Sequence, residues 1–341
     1  VINDKIRGKN YHPQKEYTKK YGNATVKIYC PPIFTLTSGK RFGVNFAKLY
    51  LRSFCSATRH VVEKKGIKPD AFYGHFIYPA GLTAATIGKI NTTAAFFAYG
   101  ESSMDCFSGM GIGEIREILK TVNGVVSVSS SNRKDLVDHG IILSEKIGVF
   151  PNAINTKTFF VQDKYEVRRT LNFSDQDFIV AFVGHFSNRK GSQRLSSALD
   201  MVGGIKSIFI GKGQEEPNCD GILFKGALNH EQINQYLNAA DVFVLPTLAE
   251  GCCNAIIEAM ACGLPIISSD MPFNDDILDK RNSIRVDPHS VEEIANAIQF
   301  LRDNPEIRNK MSTASLEKAK TLGINERAIK ITQFIRERSG F

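Results

Sequence analysis

Apolar and polar positions alternate along the chain with two different periods. Apolar residues three to four positions apart predict helices, and short apolar runs between turn residues predict strands. The predicted helices are 42–65, 78–89, 113–121, 163–171, 231–239, 252–261, 290–303, 305–320 and 324–338. The predicted strands are 1–4, 24–30, 71–76, 94–99, 124–129, 146–150, 178–183, 206–210, 221–224, 241–245 and 266–267. Residues 5–23 are polar and basic and predict a loop. After the strand at 124–129, Ser131 or Asn132 is expected to cap a further helix.

Strands that alternate with helices are typical of βαβ units, so we predict an α/β protein with mostly parallel sheets. The alternation restarts after Pro151 and Asn152. A chain of 341 residues is long enough for two domains with a core each. We therefore predict two doubly wound domains, residues 1–152 and 153–323, followed by a last helix within 324–341.

The segment 239–269 predicts a strand, a polar loop, a helix and a second strand. Ligands of open parallel sheets bind beyond the carboxyl ends of the strands, where this loop lies. Glu250 lies before the helix and Glu258 lies two turns inside it, so their carboxylates can accept hydrogen bonds from hydroxyls of a sugar and a ribose. Two glutamates eight positions apart also occur by chance. Unsatisfied amides at a helix start can bind a phosphate, and here they are expected at Gly251, Cys252, Cys253 and Asn254.

From Glu250 onward the sequence resembles the donor-binding signature of the family 4 retaining glycosyltransferases. The family pattern is Glu, seven residues, Glu and then Ala-Met-Ala-x-Gly-x-Pro, and the chain reads EGCCNAIIEAMACGLP at 250–265. The segment FPNAIN at 150–155 also resembles the family's IPNG-x-D segment. The resemblance implies the GT-B fold, in which two Rossmann-like domains face each other across a cleft and the last helix crosses back onto the first domain.

The resemblance also implies an activity. A sugar is transferred from a nucleotide-diphosphate sugar with retention of configuration, without a metal ion or a further cofactor. The acceptor attacks from the leaving-group face and the donor phosphate takes its proton, so no protein nucleophile is required. An envelope glycan or a lipid-linked molecule is the expected acceptor. Two alternatives stay open, a non-catalytic sugar-nucleotide-binding or partner subunit on the same fold, and a sugar-nucleotide epimerase.

The segment VGHFSNRKG at 183–191 follows a predicted strand and opens a helix. It resembles the family's Gly-Arg-Leu-x-x-x-Lys-Gly, in which the Arg and the Lys bind the donor diphosphate. Gly184 and Lys190 take the Gly and Lys positions, whereas His185 replaces the Arg and Arg189 is a candidate second cation. Cations at a helix start oppose the helix dipole, which favours an anionic partner over a merely solvated basic surface.

Two further segments resemble nucleotide-binding parts of the family. Gly211 and Gly213 match its strand-end Gly-x-Gly, although such a pair is also typical of an ordinary turn. Lys225 and Gly226 lie on the strand whose backbone commonly contacts the nucleobase. The sequence does not identify the base.

Candidate residues of the first domain follow predicted strands. His75 matches a His-x-His-Phe segment of the family, and Tyr99 stands where the family has a His that faces the transferred sugar. Glu101 and Ser102 are candidates for contacts with its hydroxyls. A structural role is the alternative for His75 and for Glu101. The expected catalytic residues are therefore Lys190, Glu250, Glu101 and Tyr99.

The net charge of +8 is concentrated in the first half of the chain. Residues 1–153 contain 21 Lys and Arg against 11 Asp and Glu, a balance of +10, whereas the remainder has 22 against 24. Such a basic surface is either simply solvated or attracted to an anionic partner, such as an inner-leaflet membrane surface or a lipid phosphate. No nucleic-acid recognition motif accompanies the charge, so a nucleic-acid partner is not expected.

The seven cysteines are scattered and show no metal-binding spacing, so we expect no metal site. Cys252 and Cys253 are better explained as small residues in a tight helix start. A reduced cytoplasmic location is expected, with peripheral contact at the inner face of the membrane as a further expectation. The chain opens at what resembles the second strand of a GT-B domain, so about 30–40 residues with a first strand and a Gly-rich loop are expected to lie outside it or to be absent from this form.

Overall fold

The computed structural model describes residues 15–33, 40–41, 44–102 and 110–340. The strands are β1 Glu16–Tyr21, β2 Ala24–Tyr29, β3 Lys40–Arg41, β4 Val44–Asn45, β5 Ala71–His75, β6 Ala94–Tyr99, β7 Gly124–Ser127, β8 Ile147–Val149, β9 Ile179–Val183, β10 Lys206–Ile210, β11 Ile222–Gly226, β12 Val242–Leu245, β13 Ile266–Ser269 and β14 Ser283–Val286. The helices are α1 Phe46–Lys64, α2 Leu82–Asn91, α3 Ile112–Leu119, α4 Ser130–Asp138, α5 Lys164–Leu171, α6 Ser192–Val202, α7 His230–Ala239, α8 Asn254–Ala261, α9 Val291–Asp303, α10 Pro305–Lys320 and α11 Ile324–Ser339. Single helical turns lie at Ile77–Gly81, Ser144–Lys146 and Pro272–Asn274. The strand predicted at 1–4 lies outside the described residues.

The first domain is built on a parallel sheet in the order β5-β6-β7-β8. Its central strands are apolar and almost wholly buried, as expected for strands covered on both faces. The core includes side chains of the sheet and of the helices on it, among them Leu51, Leu82, Phe97, Ile115 and Leu136.

A separate antiparallel hairpin of β1 and β2 precedes this sheet. The strand predicted at 24–30 is confirmed, but the loop predicted over 5–23 is wrong for residues 16–21, which form β1. Gly22, with φ of 57°, allows the tight turn between the two strands. Nearly all of β1 is exposed, so it lacks the apolar periodicity by which a buried strand is recognised.

The second domain contains a six-stranded parallel sheet in the order β11-β10-β9-β12-β13-β14. The chain begins at the central strand β9, continues outward through β10 and β11, and returns to β12 on the other side. Doubly wound sheets bind ligands where the strand order reverses, which is here between β9 and β12. The loops 184–191 and 246–253 follow these two strands directly, so both lie at this switch point.

The parallel α/β architecture predicted from the sequence is confirmed, with three local corrections. The edge strand β14 was not predicted, because Ser283 and Arg285 break its apolar pattern. The helix predicted at 252–261 begins at Asn254. Ser129, and neither Ser131 nor Asn132, caps α4, since its Oγ accepts a hydrogen bond from the Asn132 amide at 3.1 Å.

The last helix, α11, packs against the first domain. The ring of Phe334 lies 5.4 Å from the ring of Phe150 and 6.4 Å from that of Phe96, both edge to face. The Nε of Arg327 donates a hydrogen bond to the carbonyl of Pro151 at 2.8 Å, next to the link between the domains. The helix therefore joins the end of the second domain to the underside of the first sheet.

Candidate active site in the interdomain cleft

The switch point of the second sheet brings together three of the predicted site residues. Lys190 Nζ lies 2.5 Å and Arg189 Nη1 3.0 Å from the same carboxylate oxygen, Oε1 of Glu250. Thr247 holds that oxygen in place by donating a hydrogen bond to it at 2.9 Å. The loop carrying Glu250 is fixed to the loop carrying Arg189, because the Leu248 amide donates to the Arg189 carbonyl at 2.8 Å.

Two cations face one carboxylate at this point, so the cluster of Arg189, Lys190 and Glu250 carries an excess positive charge. The side chains of Lys190 and Glu250 are each 12% exposed, whereas that of Arg189 is 44% exposed. Partial burial strengthens the attraction of such a cluster for an anion, since water screens it less. The start of α8 follows Glu250 by four residues and adds the amides of a helix N-terminus, which have no partner inside the helix.

A cavity of about 450 Å³ opens between the domains next to this cluster. We call it the cleft cavity; it is lined by Phe76, Tyr78, Gly100, Glu101 and Ser102 of the first domain and by Arg189, Glu250, Gly251 and Cys252 of the second. Five of the residues singled out from the sequence as donor-binding or catalytic therefore share one space: Glu101, Arg189, Glu250, Gly251 and Cys252. Ligand pockets commonly lie at domain interfaces of this kind.

The start of α8 differs from the prediction by two residues. Cys253 is the N-cap, so the four amides without a partner inside the helix are those of residues 253–256 and not those of 251–254. Burial raises the pKa of the Cys253 thiol to about 11 and that of Cys252 to about 12. Cys252 is bonded to the interdomain link, since its carbonyl accepts a hydrogen bond from Asn152 Nδ2 at 2.9 Å. Both are buried, protonated residues, and the described part of the chain contains no group of three or more His, Cys, Asp or Glu that could hold a metal ion.

Gly251 lies against the first domain. A Cβ atom at this position would come within 2.3 Å of the Gly100 carbonyl oxygen. The close approach predicted for Gly251 is thus made in this structure to backbone of the other domain. A second link between the domains lies nearby, where the Ser130 amide and hydroxyl donate to the Asp276 carboxylate at 2.6 and 2.7 Å.

We expect Gly251→Ala to disturb this contact and to destabilise the protein by about 1–3 kcal/mol, because an added methyl group would overlap a carbonyl that cannot move freely. Urea unfolding measures the difference. The matched control is Gly113→Ala in α3, where an added Cβ meets no atom within 4 Å. Equal unfolding midpoints for the two variants would contradict the close packing of Gly251 against Gly100.

The predicted glycines at the strand ends serve close packing between loops. A Cβ at Gly211 would lie 1.9 Å from the Gly184 carbonyl, and one at Gly213 would lie 2.1 Å from the Phe186 carbonyl. The Gly211 amide donates to the Gly226 carbonyl at 2.8 Å, so that carbonyl is already bonded. These glycines hold the ends of β9, β10 and β11 together beside the switch point.

Three further predicted residues lie outside the cleft cavity. His185, which replaces the family Arg, is exposed. Lys225 forms an ion pair with Glu216 at 2.8 Å. Glu258, on α8, faces His230 of α7, with 4.0 Å between Oε1 and Nδ1. Burial raises the pKa of the Glu258 carboxyl, and the charge of His230 partly opposes that rise.

The carboxylate of Glu101 is fixed by the backbone around it. Its Oε1 accepts from the Ile77 amide at 2.8 Å and its Oε2 from the Gly100 amide at 3.0 Å. Burial raises the pKa of Glu101, and these hydrogen bonds partly oppose the rise. Glu101 therefore has the structural role weighed as an alternative, although it also borders the cleft cavity.

Tyr99 does not reach the cleft cavity. Its side chain is completely buried in the core of the first domain, so the catalytic role predicted for it has no support here. Side chains of a strand alternate between the two faces of the sheet, and the resemblance placed Tyr99 by position without fixing its direction. His75 is exposed, with its ring centre 4.4 Å from that of Phe76.

Phe76 is a cavity residue that the sequence did not indicate. Its backbone has φ of 66° and ψ of 162°, in a region that is essentially restricted to glycine and costs on the order of 1–3 kcal/mol. The strand predicted at 71–76 ends one residue earlier for this reason. A phenylalanine at the end of a predicted strand carries no sequence signal for such a conformation.

Part of the chain is similar to a known protein family. Residues 163–318 match the model of the family described as glycosyl transferases group 1. The chain is 25% identical over 252 residues to TuaC of Bacillus subtilis, which is named as a glycosyltransferase of teichuronic acid biosynthesis; the match covers 72% of this chain and 65% of that protein. A D-inositol 3-phosphate glycosyltransferase of Pseudarthrobacter chlorophenolicus is 24% identical, over 62% of this chain and 55% of its own length. The chain thus spans less than two thirds of either relative.

Solved structures show the same fold across both domains. Sucrose-phosphate synthase from Thermosynechococcus elongatus superimposes with a TM-score of 0.79 at 19% identity, covering 95% of this chain and 86% of that one. HepE from Anabaena in complex with UDP gives a TM-score of 0.73 at 16% identity, covering 86% and 85%. These matches confirm the GT-B fold predicted from the sequence.

Proposed function

We propose that the protein transfers a sugar from a nucleotide-diphosphate sugar, with retention and without a metal ion, because residues 163–318 match the model of the glycosyl transferases group 1. The observation that carries the proposal is the cluster of Arg189, Lys190 and Glu250 at the switch point, beside the start of α8 and bordering the cleft cavity. Such a cluster fits a leaving diphosphate next to a sugar with free hydroxyls.

The second domain holds the donor in this proposal. Lys190 and Arg189 stabilise the charge that develops on the leaving diphosphate, and the amides at the start of α8 add to this stabilisation. Arg189 supplies the second cation in place of the family Arg, since it borders the cleft cavity and His185 does not. Glu250 binds hydroxyls of the transferred sugar, and Glu258 binds the ribose diol.

The acceptor enters from the first domain. We propose an envelope glycan or a lipid-linked acceptor, because this domain carries most of the excess positive charge. The name of TuaC, which refers to teichuronic acid, supports an envelope polymer, and that of the inositol phosphate enzyme supports an anionic acceptor. The location would be cytoplasmic with peripheral contact at the inner leaflet. No helix in the described ranges is long and apolar enough to cross a membrane.

A second candidate function is a sugar-nucleotide-binding subunit without catalysis. It is favoured by the burial of Tyr99, which leaves the family's sugar-facing position without a side chain in the cleft. Such a subunit would bind the donor without releasing its sugar to water or to any acceptor. Measured turnover therefore separates the two candidates.

Stereochemistry and metal dependence can be tested without knowing the acceptor, through slow transfer of the donor sugar to water. With an α-linked sugar nucleotide, retention gives the α-anomer as the first product, which proton NMR distinguishes from the β-anomer before mutarotation. We expect the α-anomer at an unchanged rate in excess EDTA. A first-formed β-anomer would contradict retention, and a rate that falls with EDTA and recovers with Mg²⁺ or Mn²⁺ would contradict metal independence.

A further inference from the structure

An exposed aromatic ring faces the donor site across the cleft cavity. Phe76 lines this cavity from the first domain and is 42% exposed, while Arg189 and Glu250 line it from the second. Single exposed apolar residues are common on protein surfaces, so exposure alone has no meaning here. The ring is a candidate for contact with a ligand because it lies opposite the cluster of Arg189, Lys190 and Glu250.

The backbone of Phe76 is strained and held on both sides. Its φ of 66° and ψ of 162° fall in the region reserved for glycine. The carbonyl of Phe76 accepts a hydrogen bond from the Gly81 amide at 2.9 Å, and the next amide, of Ile77, donates to Glu101 at 2.8 Å. Strained residues that their surroundings hold in this way cluster at ligand-binding sites. Glu101 thus helps to hold the backbone next to Phe76.

Neighbouring groups on this side of the cavity are already engaged. The hydroxyl of Tyr78 donates to the Ala47 carbonyl at 3.0 Å, and Glu101 accepts two backbone amides. The ring of His75 packs edge to face against Phe76 at 4.4 Å and supports its orientation. The Phe76 ring therefore offers an apolar surface of fixed position, with Ser102 and Glu250 at the polar edge of the same cavity.

We propose that the acceptor ends in a pyranose ring and that one C–H face of this ring packs on Phe76. A pyranose has an apolar face and a polar rim of hydroxyls, which matches an aromatic surface surrounded by polar side chains. An open-chain polyol phosphate or a hydroxyl of a protein side chain has no such face. The inference rests on the proposed glycosyltransferase function, and it narrows the class of acceptor.

The test compares acceptor kinetics of Phe76 variants, using the donor that binds the wild type. Methyl pyranosides are compared with glycerol 3-phosphate and ribitol 5-phosphate as acceptors. We expect transfer to pyranosides, and we expect Phe76→Ala to raise the acceptor KM about 10- to 100-fold with little change in donor hydrolysis. Phe76→Tyr keeps a ring and should stay near wild type. Phe300→Ala, which removes a ring that is 44% exposed on α9, should have no effect.

Phe76→Gly is the control for loss of folding, because glycine adopts this backbone conformation without strain. We expect a thermal midpoint at or above that of the wild type together with the raised acceptor KM. An unchanged acceptor KM in Phe76→Ala, a raised donor KM instead, or preference for polyol phosphates would overturn the inference while leaving the proposed function intact. Absence of both donor binding and transfer in the wild type would reject the proposed function and this inference together.

Discussion

Replacing Lys190 by alanine is expected to lower kcat/KM for sugar transfer about 100- to 1000-fold, as loss of a group that stabilises developing charge typically does. The Lys190 ammonium is mostly buried and lies 2.5 Å from Glu250, which lines the cleft cavity. Without it Arg189 still balances Glu250, but no excess charge remains for the diphosphate. The effect should appear in donor hydrolysis as well as in transfer, and initial-rate kinetics measure both.

The controls separate charge from packing. Lys190→Arg keeps the charge and should recover part of the activity, although a guanidinium does not replace an ammonium in every geometry. Lys330→Ala removes an exposed lysine of α11, far from Lys190 in the sequence, and should behave like the wild type. Equal loss in the Arg and Ala variants would show that the shape of the side chain matters more than its charge.

Replacing Asp241 by alanine is expected to destabilise the protein by about 3–5 kcal/mol, because it leaves a buried cation without its partner. The side chains of Arg168 and Asp241 are 2% and 8% exposed, and their charged atoms lie 2.8 Å apart. Asp241 also accepts from Lys164 and from the Ile179 amide, both at 2.8 Å. Arg168 ties α5 to the segment before β12 by donating to the Ala239 carbonyl at 2.9 Å.

Urea unfolding at pH 7 measures this loss. Asp138→Ala is the matched control, since it removes an exposed aspartate paired with Lys134 one helical turn away. Exposed pairs of that kind contribute at most about 1 kcal/mol. If the two variants lost similar stability, the buried network would contribute no more than a surface pair.

The pH dependence of this stabilisation follows from the same contacts. Burial by itself raises the pKa of Asp241, but Lys164, the Ile179 amide and Arg168 together outweigh it and hold the pKa below its usual value. A lowered pKa in the folded state means that the stabilisation is complete above the pKa of the unfolded chain, about 3.9. It is lost as the pH falls further, through the folded-state pKa. The stability difference between wild type and Asp241→Asn should therefore be constant near neutral pH and shrink below about pH 4.

The sequence predicted the second domain better than the first, for physical reasons. Strands β9 and β12 are apolar runs buried on both faces, and the motifs around Lys190, Glu250 and Glu258 follow from short-range spacing. The start of α8 was placed two residues early because its N-cap, Cys253, is not among the usual capping residues. The pairing of Arg189 with Glu250 depends on how two loops meet, which no local pattern contains.

The predictions that failed in the first domain, and the cavity residue that the sequence did not indicate, depend on tertiary contacts. Tyr99 was assigned by its position in a resemblance, whereas its direction is set by packing inside the core. The conformation of Phe76 is imposed by Gly81 and Glu101, which lie 5 and 25 positions away in the chain. The loop placement of residues 16–21 failed because an exposed hairpin has no buried face to be recognised.

The most direct test of the donor site is a thermal-shift panel of UDP, GDP, ADP and their sugars. The wild type is compared with Glu258→Ala and Lys190→Ala. A ligand that binds the folded state stabilises it by about 2.7 kcal/mol at 100 times its Kd, which is a clear rise in the midpoint. We expect one nucleotide series to raise the midpoint of the wild type and to have little effect on either variant. If no nucleotide shifted the wild type, or if the variants responded as it does, the donor site described here would be contradicted.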